Sequence, residues 1–178
     1  MPIIPDPSLT AYTPHFHKGS VFVILTGVQG ERVFGRAETA NLLRSVLREV
    51  RQDVPFTMQA WVILPNQSSL LLHPNAAQGA DEIVRRVRHR YARDYAQLMG
   101  SPVEMVVWEQ RFALESVPEV ETFALRMDTV HYAPVRHGLV KRPEEWVQSS
   151  YGAWVERGLY KLGWGWSEPE RLQGNQRG

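Results

Sequence analysis

Arg85, Arg86, Arg88, Arg90 and Arg93 crowd into one short stretch with His89 among them. A planar guanidinium grips a phosphate with two parallel hydrogen bonds and stacks on a base, so such a row can neutralise a nucleic-acid backbone without any catalytic group. Arg136, His137 and Lys141 offer the same chemistry farther along the chain and are expected to share a groove with the first set. The competing reading is a solvated helix face. A second group of polar residues lies at Gln67 and Ser69, which point to the same side of a strand because side chains alternate faces. His73, His131 and His137 are scattered, and His15 and His17 precede the first strand, so no metal site is expected from the histidines. That last pair reads as coincidence or as part of a DNA-contacting edge. The chain has no cysteine, which excludes disulfides, thiol catalysis and zinc bound through thiolates.

These residues need elements to hold them. A β-branched apolar run over 20–26 reads as a strand covered on both faces. An apolar stripe through Leu42, Leu43, Val46, Leu47 and Val50 makes 36–52 a helix, with Arg44, Arg48 and Arg51 off the stripe, toward solvent or a ligand. Pro55 stops it. Strands follow at 56–64 and 68–73 around a Pro65-Asn66 turn. The stripe Ile83, Val84, Val87, Tyr91, Tyr95 and Leu98 makes 79–99 the longest helix and places the arginine row on it. Tyr91 and Tyr95 read as core aromatics, with base stacking as the alternative. A fourth strand is expected at 103–108, continuing through 111–114, and Pro118 marks a further helix to about Tyr132.

The order is strand, helix, strand, strand, helix, strand. That predicts an α+β fold: a ferredoxin-like βαββαβ antiparallel sheet with helices on one face, an extra C-terminal helix and an aromatic-rich tail. The expected domain limits are an extended, proline-rich arm over 1–14, a single-stranded DNA-binding domain over 15–146, and a tail over 147–178. The tail is read as coil wrapped on the domain and frayed after Ser167.

Length and composition are ordinary for a globular protein: 178 residues, 43% hydrophobic and 22% charged, with a net charge of +1. The positive charge is nearly all arginine, since Lys18, Lys141 and Lys161 are the only lysines. That bias raises nucleic acid as a partner, although a GC-rich genome produces it as well. The start has no charged segment leading into an apolar core, and no apolar run approaches the roughly 20 residues that span a bilayer. No membrane partner is expected, and the expected location is cytoplasmic.

Several stretches in order resemble the signatures of REP-associated tyrosine transposases, in the single-tyrosine branch of the HUH endonucleases. They are Ala60-Trp-Val-Ile-Leu-Pro-Asn66, Trp108-Glu-Gln-Arg-Phe112, His131-Tyr-Ala-Pro-Val-Arg-His-Gly-Leu-Val140, Arg142-Pro-Glu-Glu-Trp146 and Ser149-Ser-Tyr151. The resemblance implies cleavage and rejoining of single-stranded DNA beside a hairpin. A tyrosine attacks a phosphodiester while Mg2+ or Mn2+, held by a His-hydrophobic-His triplet, polarises the phosphate. Laid on this sequence, the triplet falls at Gln67-Ser68-Ser69, the nucleophile at Thr129 and a further metal ligand at Ala133.

None of these positions keeps the required chemistry. Ser69 offers a hydroxyl and Gln67 an amide oxygen where such metals favour imidazole or carboxylate. Thr129 is an unactivated alcohol. No cofactor is therefore expected. The leading expectation is a transposase-like protein that binds single-stranded or hairpin DNA without cutting it, as a monomer or a homodimer. Two alternatives stay open: an active nicking and rejoining enzyme using Tyr132 as a displaced nucleophile, with His73 or His137 helping to hold metal, and an interaction module without nucleic acid. Asp128 and Glu109 read as solvated or capping carboxylates.

Overall fold

A computed structural model describes residues 6–76 and 79–174. The sheet has four strands, β1 (Ser20–Thr26), β2 (Phe56–Ile63), β3 (Gln67–Pro74) and β4 (Ala113–Val117), in the spatial order β2-β3-β1-β4. Every neighbouring pair is antiparallel. With α1 (Ala37–Asp53) between β1 and β2, and α2 (Gly79–Leu98) between β3 and β4, this is the ferredoxin-like βαββαβ arrangement.

Both faces of the sheet are covered. Val23, Leu25, Leu70 and Leu72 face α1 and α2, meeting Leu43, Val46 and Val50 from one helix and Ile83, Val84 and Val87 from the other. Phe22, Ala60, Val62 and Leu71 face the opposite way, toward α3 (Val120–Arg136) and its Phe123, Met127 and Val130. A leucine such as Leu71, with no exposed surface, contributes roughly 1.5–3 kcal/mol by leaving water. The helices close against this sheet because their apolar residues recur at three- and four-residue spacing.

Local chemistry sets the boundaries. At the start of α1 the Thr39 hydroxyl donates to the Arg36 carbonyl at 3.0 Å and accepts from the Arg36 amide at 3.3 Å, which occupies backbone groups that a helix start leaves open. Pro55 follows the last turn. After β1, Gly27 packs so closely that a Cβ there would lie 2.5 Å from the Glu31 carbonyl, so the tight exit from the strand requires glycine.

Three expectations need correction. The fourth strand does not run through 103–108: Val103 is 68% and Val106 78% exposed. Only a single bridge forms there, between Gly27 and Trp108, flanked by the Val28 amide on the Val107 carbonyl and the Glu109 amide on the Thr26 carbonyl, because the segment before it is exposed and only Val107 and the Trp108 indole, which donates to the Arg88 carbonyl at 2.8 Å, pack beneath the helices. Pairing resumes at Ala113, where β4 is an edge strand with only Val117 buried. The arm is not extended over its described part, since 7–9 and 13–15 form 3-10 turns with Leu9 and Tyr12 buried; residues 1–5 lie outside the described residues. The tail is not coil that frays after Ser167. It forms α4 (Tyr151–Glu156) and α5 (Glu170–Gln173), and Leu172 is 3% exposed; residues 175–178 lie outside the described residues.

Candidate nucleic-acid interface

Gln67 opens β3 on the side facing α3, and its amide nitrogen lies 3.5 Å from Nε2 of His137, just beyond the end of that helix. Ser69, two residues on and 5% exposed, faces the same way. Ser68 turns to the other side and donates its hydroxyl to the Val62 carbonyl at 3.0 Å. Thr129, on α3, donates to the Leu125 carbonyl at 2.7 Å, so its hydroxyl is bound back onto its own helix rather than presented to a base. Ala133 is buried and apolar.

This donor set does not suit a divalent cation. It holds one amide, one hydroxyl and a methyl where carboxylate or imidazole groups would be needed. One imidazole, that of His137, lies beside Gln67, a single ligand where a divalent ion needs several. His73 lies at the far end of β3 from Gln67, about 20 Å away at roughly 3.3 Å per residue, stacked on His17 at 5.3 Å between ring centres. Burial, and then the neighbouring His17, lowers its pKa. His15 packs edge-on against Trp154 at 4.7 Å. Among the described residues no three His, Asp or Glu side chains converge as a metal cluster would.

Tyr132 is 9% exposed and lies beneath the tail. Trp164 meets its ring edge-on at 6.5 Å, and the Arg136 guanidinium sits 5.8 Å from the ring centre. Gly165 passes so close that a Cβ would meet Tyr132 at 3.6 Å and the Pro143 ring at 2.5 Å.

A polar network runs through the protein beside these residues. Asp128 is 1% exposed, not solvated as its sequence setting suggested. It accepts from the Tyr12 hydroxyl at 2.5 Å and from the Arg171 guanidinium at 2.7 Å. Burial pushes its pKa up, while Tyr12 and Arg171 pull it back. The Tyr160 hydroxyl lies 3.4 Å from the same carboxylate and 2.7 Å from Nδ1 of His131. Nε2 of His131 is 2.7 Å from the Ser150 hydroxyl, which also accepts from the Trp61 amide at 2.9 Å. Burial holds the His131 imidazole down to about 3, so it is neutral. The sequence offered Ser150 only as a motif letter and His131 as a motif letter and one of three scattered histidines, and nothing marked Tyr12, Tyr160 or Arg171. Glu109 does cap, accepting the Gln29 amide at 2.5 Å.

The two groups of cations do not share a groove. α2 lies on one face of the sheet and α3 on the other, so Arg85, Arg86, Arg90 and Arg93 are presented away from Arg136, His137 and Lys141. The α2 row is also largely occupied. Arg85 and Arg86 both pair with Glu82, Arg90 reaches Glu49 and Asp53 on α1, and Arg93 pairs with Asp94. Arg88 donates to the Glu109 carbonyl and lies 5.2 Å from the Phe112 ring centre. Tyr91 is core, with no exposed surface and its hydroxyl donated toward the carbonyls of Val33 and Thr39. Of the second group, Arg136 pairs with Glu168 at 2.9 Å, while Lys141 and His137 stay exposed. No helix among the described residues is long and apolar enough to cross a membrane.

No family model matches the chain. The chain is similar to the REP-associated tyrosine transposase of Escherichia coli K12, at 24% identity over 156 residues that span 88% of this chain and 91% of that protein. A Haemophilus influenzae protein provisionally named to the same family is 22% identical over 177 residues, spanning 94% of this chain and 99% of the relative. Among solved structures, a REP-associated tyrosine transposase bound to a REP hairpin superposes with a TM-score of 0.72 at 22% identity, covering 87% of this chain and 90% of that one. The likeness extends to the fold.

Proposed function

We propose, from the premise that the chain belongs to the family of REP-associated tyrosine transposases, that it is a cytoplasmic protein that binds single-stranded or hairpin DNA and does not cut it. The observation that carries the loss of cleavage is the set of side chains around Gln67. Gln67 and Ser69 on β3 face α3 and are themselves neither imidazole nor carboxylate, and the Thr129 hydroxyl is spent on the Leu125 carbonyl. Transfer to a phosphodiester needs an activated nucleophile and a charge to stabilise the oxygens, and neither is provided by these three residues or by Ala133. Supporting retained binding, a solved relative of the same fold is named as bound to a REP hairpin. Lys141 and His137 remain exposed past the end of α3, His137 beside Gln67, where phosphates could be neutralised.

The test combines binding with chemistry. Anisotropy titrations should give salt-dependent binding to labelled hairpin and single-stranded DNA. Denaturing gels of the same mixtures with Mg2+ or Mn2+ should give no covalent protein–DNA band. A band abolished by Tyr132→Phe would establish the enzyme reading instead, and affinity no greater than albumin's at low salt would end the DNA-binding one.

A further inference from the structure

On α1 stands a row of arginines with no carboxylate partner among the described residues. Arg44, Arg48 and Arg51 are spaced i, i+4 and i+7, which puts them on one side of the helix over about 10 Å, and all are exposed. Arg48 bonds only to the Ser45 hydroxyl, at 3.1 Å. The Arg44 guanidinium carbon lies 5.0 Å from the centre of the Trp61 indole. Of the acidic residues of the same helix, Glu38 pairs with Arg36, and Glu49 and Asp53 are turned toward Arg90. Trp61 belongs to β2, the outermost strand, and is only partly buried.

Between helix and strand lies a cleft of about 170 Å³, with Arg44, Arg48 and Arg51 on its rim and Phe56, Met58 and Trp61 along its apolar side. Cations on one wall and a partly exposed indole on the other are the two components of sequence-tolerant binding to unpaired strands. The α2 row, although richer in arginine, must first release its own carboxylates before it can take a phosphate. The α1 row gives up no ion pair.

We propose that this cleft is a binding site for unpaired nucleotides, with a base stacked on the Trp61–Arg44 pair and adjacent backbone phosphates held by Arg48 and Arg51. The cleft has room for one flat ring, not for a paired stem. The inference rests on the DNA-binding reading above and deepens it: unpaired nucleotides bind on the α1 side of the sheet, opposite the face that carries Gln67 and His137.

The experiment uses the whole protein and three labelled DNAs across a salt series: a blunt hairpin, the same hairpin with an unpaired arm, and the arm alone. Arg48→Ala combined with Arg51→Ala changes only exposed side chains. It should weaken the armed hairpin and the arm roughly tenfold, and lower the log-log salt slope by about 1.4, at about 0.7 for each single-strand phosphate. Blunt-hairpin affinity should not change. Trp61→Ala should cost about fivefold or more on the armed DNAs, with Trp61→Phe recovering most of it. Equal binding of the armed DNAs by wild type and the double-arginine variant overturns the proposal. So does a wild type that gains nothing from the arm, and that outcome leaves hairpin binding standing. A wild type that binds none of the three overturns both.

Discussion

His131 is fully buried with a hydroxyl against each ring nitrogen, and that setting fixes how the protein should respond to acid. Its folded pKa of about 3 lies below the ordinary 6.5, so between those values the unfolded chain binds a proton that the folded chain refuses. The stability involved is fully present above about pH 6.5 and is lost as pH falls toward 3, on the order of 4–5 kcal/mol in all. Asp128, whose pKa burial raises, works in the opposite sense over the carboxylate range: the folded state takes up that proton first. Urea midpoints measured between pH 7 and pH 4 should therefore fall steadily. In His131→Gln, which keeps a donor and an acceptor but cannot titrate, the curve should start lower and run nearly flat. An equally steep curve in that variant would remove His131 as the cause.

At the scale of elements, the outer edge of β2 is closed by the chain near Ser150. Val62 bridges Ser149, the Ile63 amide donates to the Gln148 carbonyl at 2.9 Å, and the Ser150 amide donates to the Trp61 carbonyl at 2.9 Å. An open edge would offer unpaired backbone groups to another chain. Ser150→Ala removes the hydroxyl shared by the Trp61 amide and His131, and the expected loss is about 1–3 kcal/mol, since two buried polar groups lose a partner. Thermal unfolding would measure it, and an unchanged midpoint would count against the role given to this contact. Elements with strong periodicity were legible in the sequence: β1, α1, β2, β3 and α2 fall within a few residues of where their apolar patterns place them. β4 was not, because Ala113-Leu-Glu-Ser-Val117 has one buried residue and a more hydrophobic run lies just before it. The short α4 and α5 were not either, since their order comes from tertiary contacts such as Trp154 donating to the Gln59 carbonyl at 2.8 Å.

For the molecule as a whole, Asp128 ties the two ends of the described chain together, taking Tyr12 from one side and Arg171 from the other. Arg171→Ala leaves a carboxylate buried with only the Tyr12 and Tyr160 hydroxyls near it, and the expected cost at neutral pH is roughly 3 kcal/mol. It should shrink as the solution is acidified and Asp128 protonates. Hydrogen exchange should quicken together at 8–12 and 170–173, and faster exchange confined to the tail would contradict the tie. The same distinction between local and distant information governs the candidate site. Gln67, Ser69, Thr129 and Ala133, the positions at which the resemblance places the family's site, could be named directly from the sequence. Which arginines are free could not, because the partners of Arg90 lie far back in the chain on α1, and a dense run of charge looks the same paired or unpaired.

The two faces of the sheet also set a timetable. Every residue of the core beneath α1 and α2 falls within 21–112, whereas the core on the other side draws on residues from Leu9 to Trp164. Tyr12 is made 116 residues before the carboxylate it will bond. The α1/α2 side is complete once residue 112 is made, whereas the other waits for Trp164, 52 residues later, an interval of about 3–10 s at roughly 5–20 residues per second of synthesis, far longer than a helix or hairpin takes to form. During it the growing chain has one face of its sheet ready to close and the other, with Phe22 and Leu71, still wet. The open side is where a nascent chain of this protein would meet chaperones, and its dependence on them should end once Asp128 and its partners have been made.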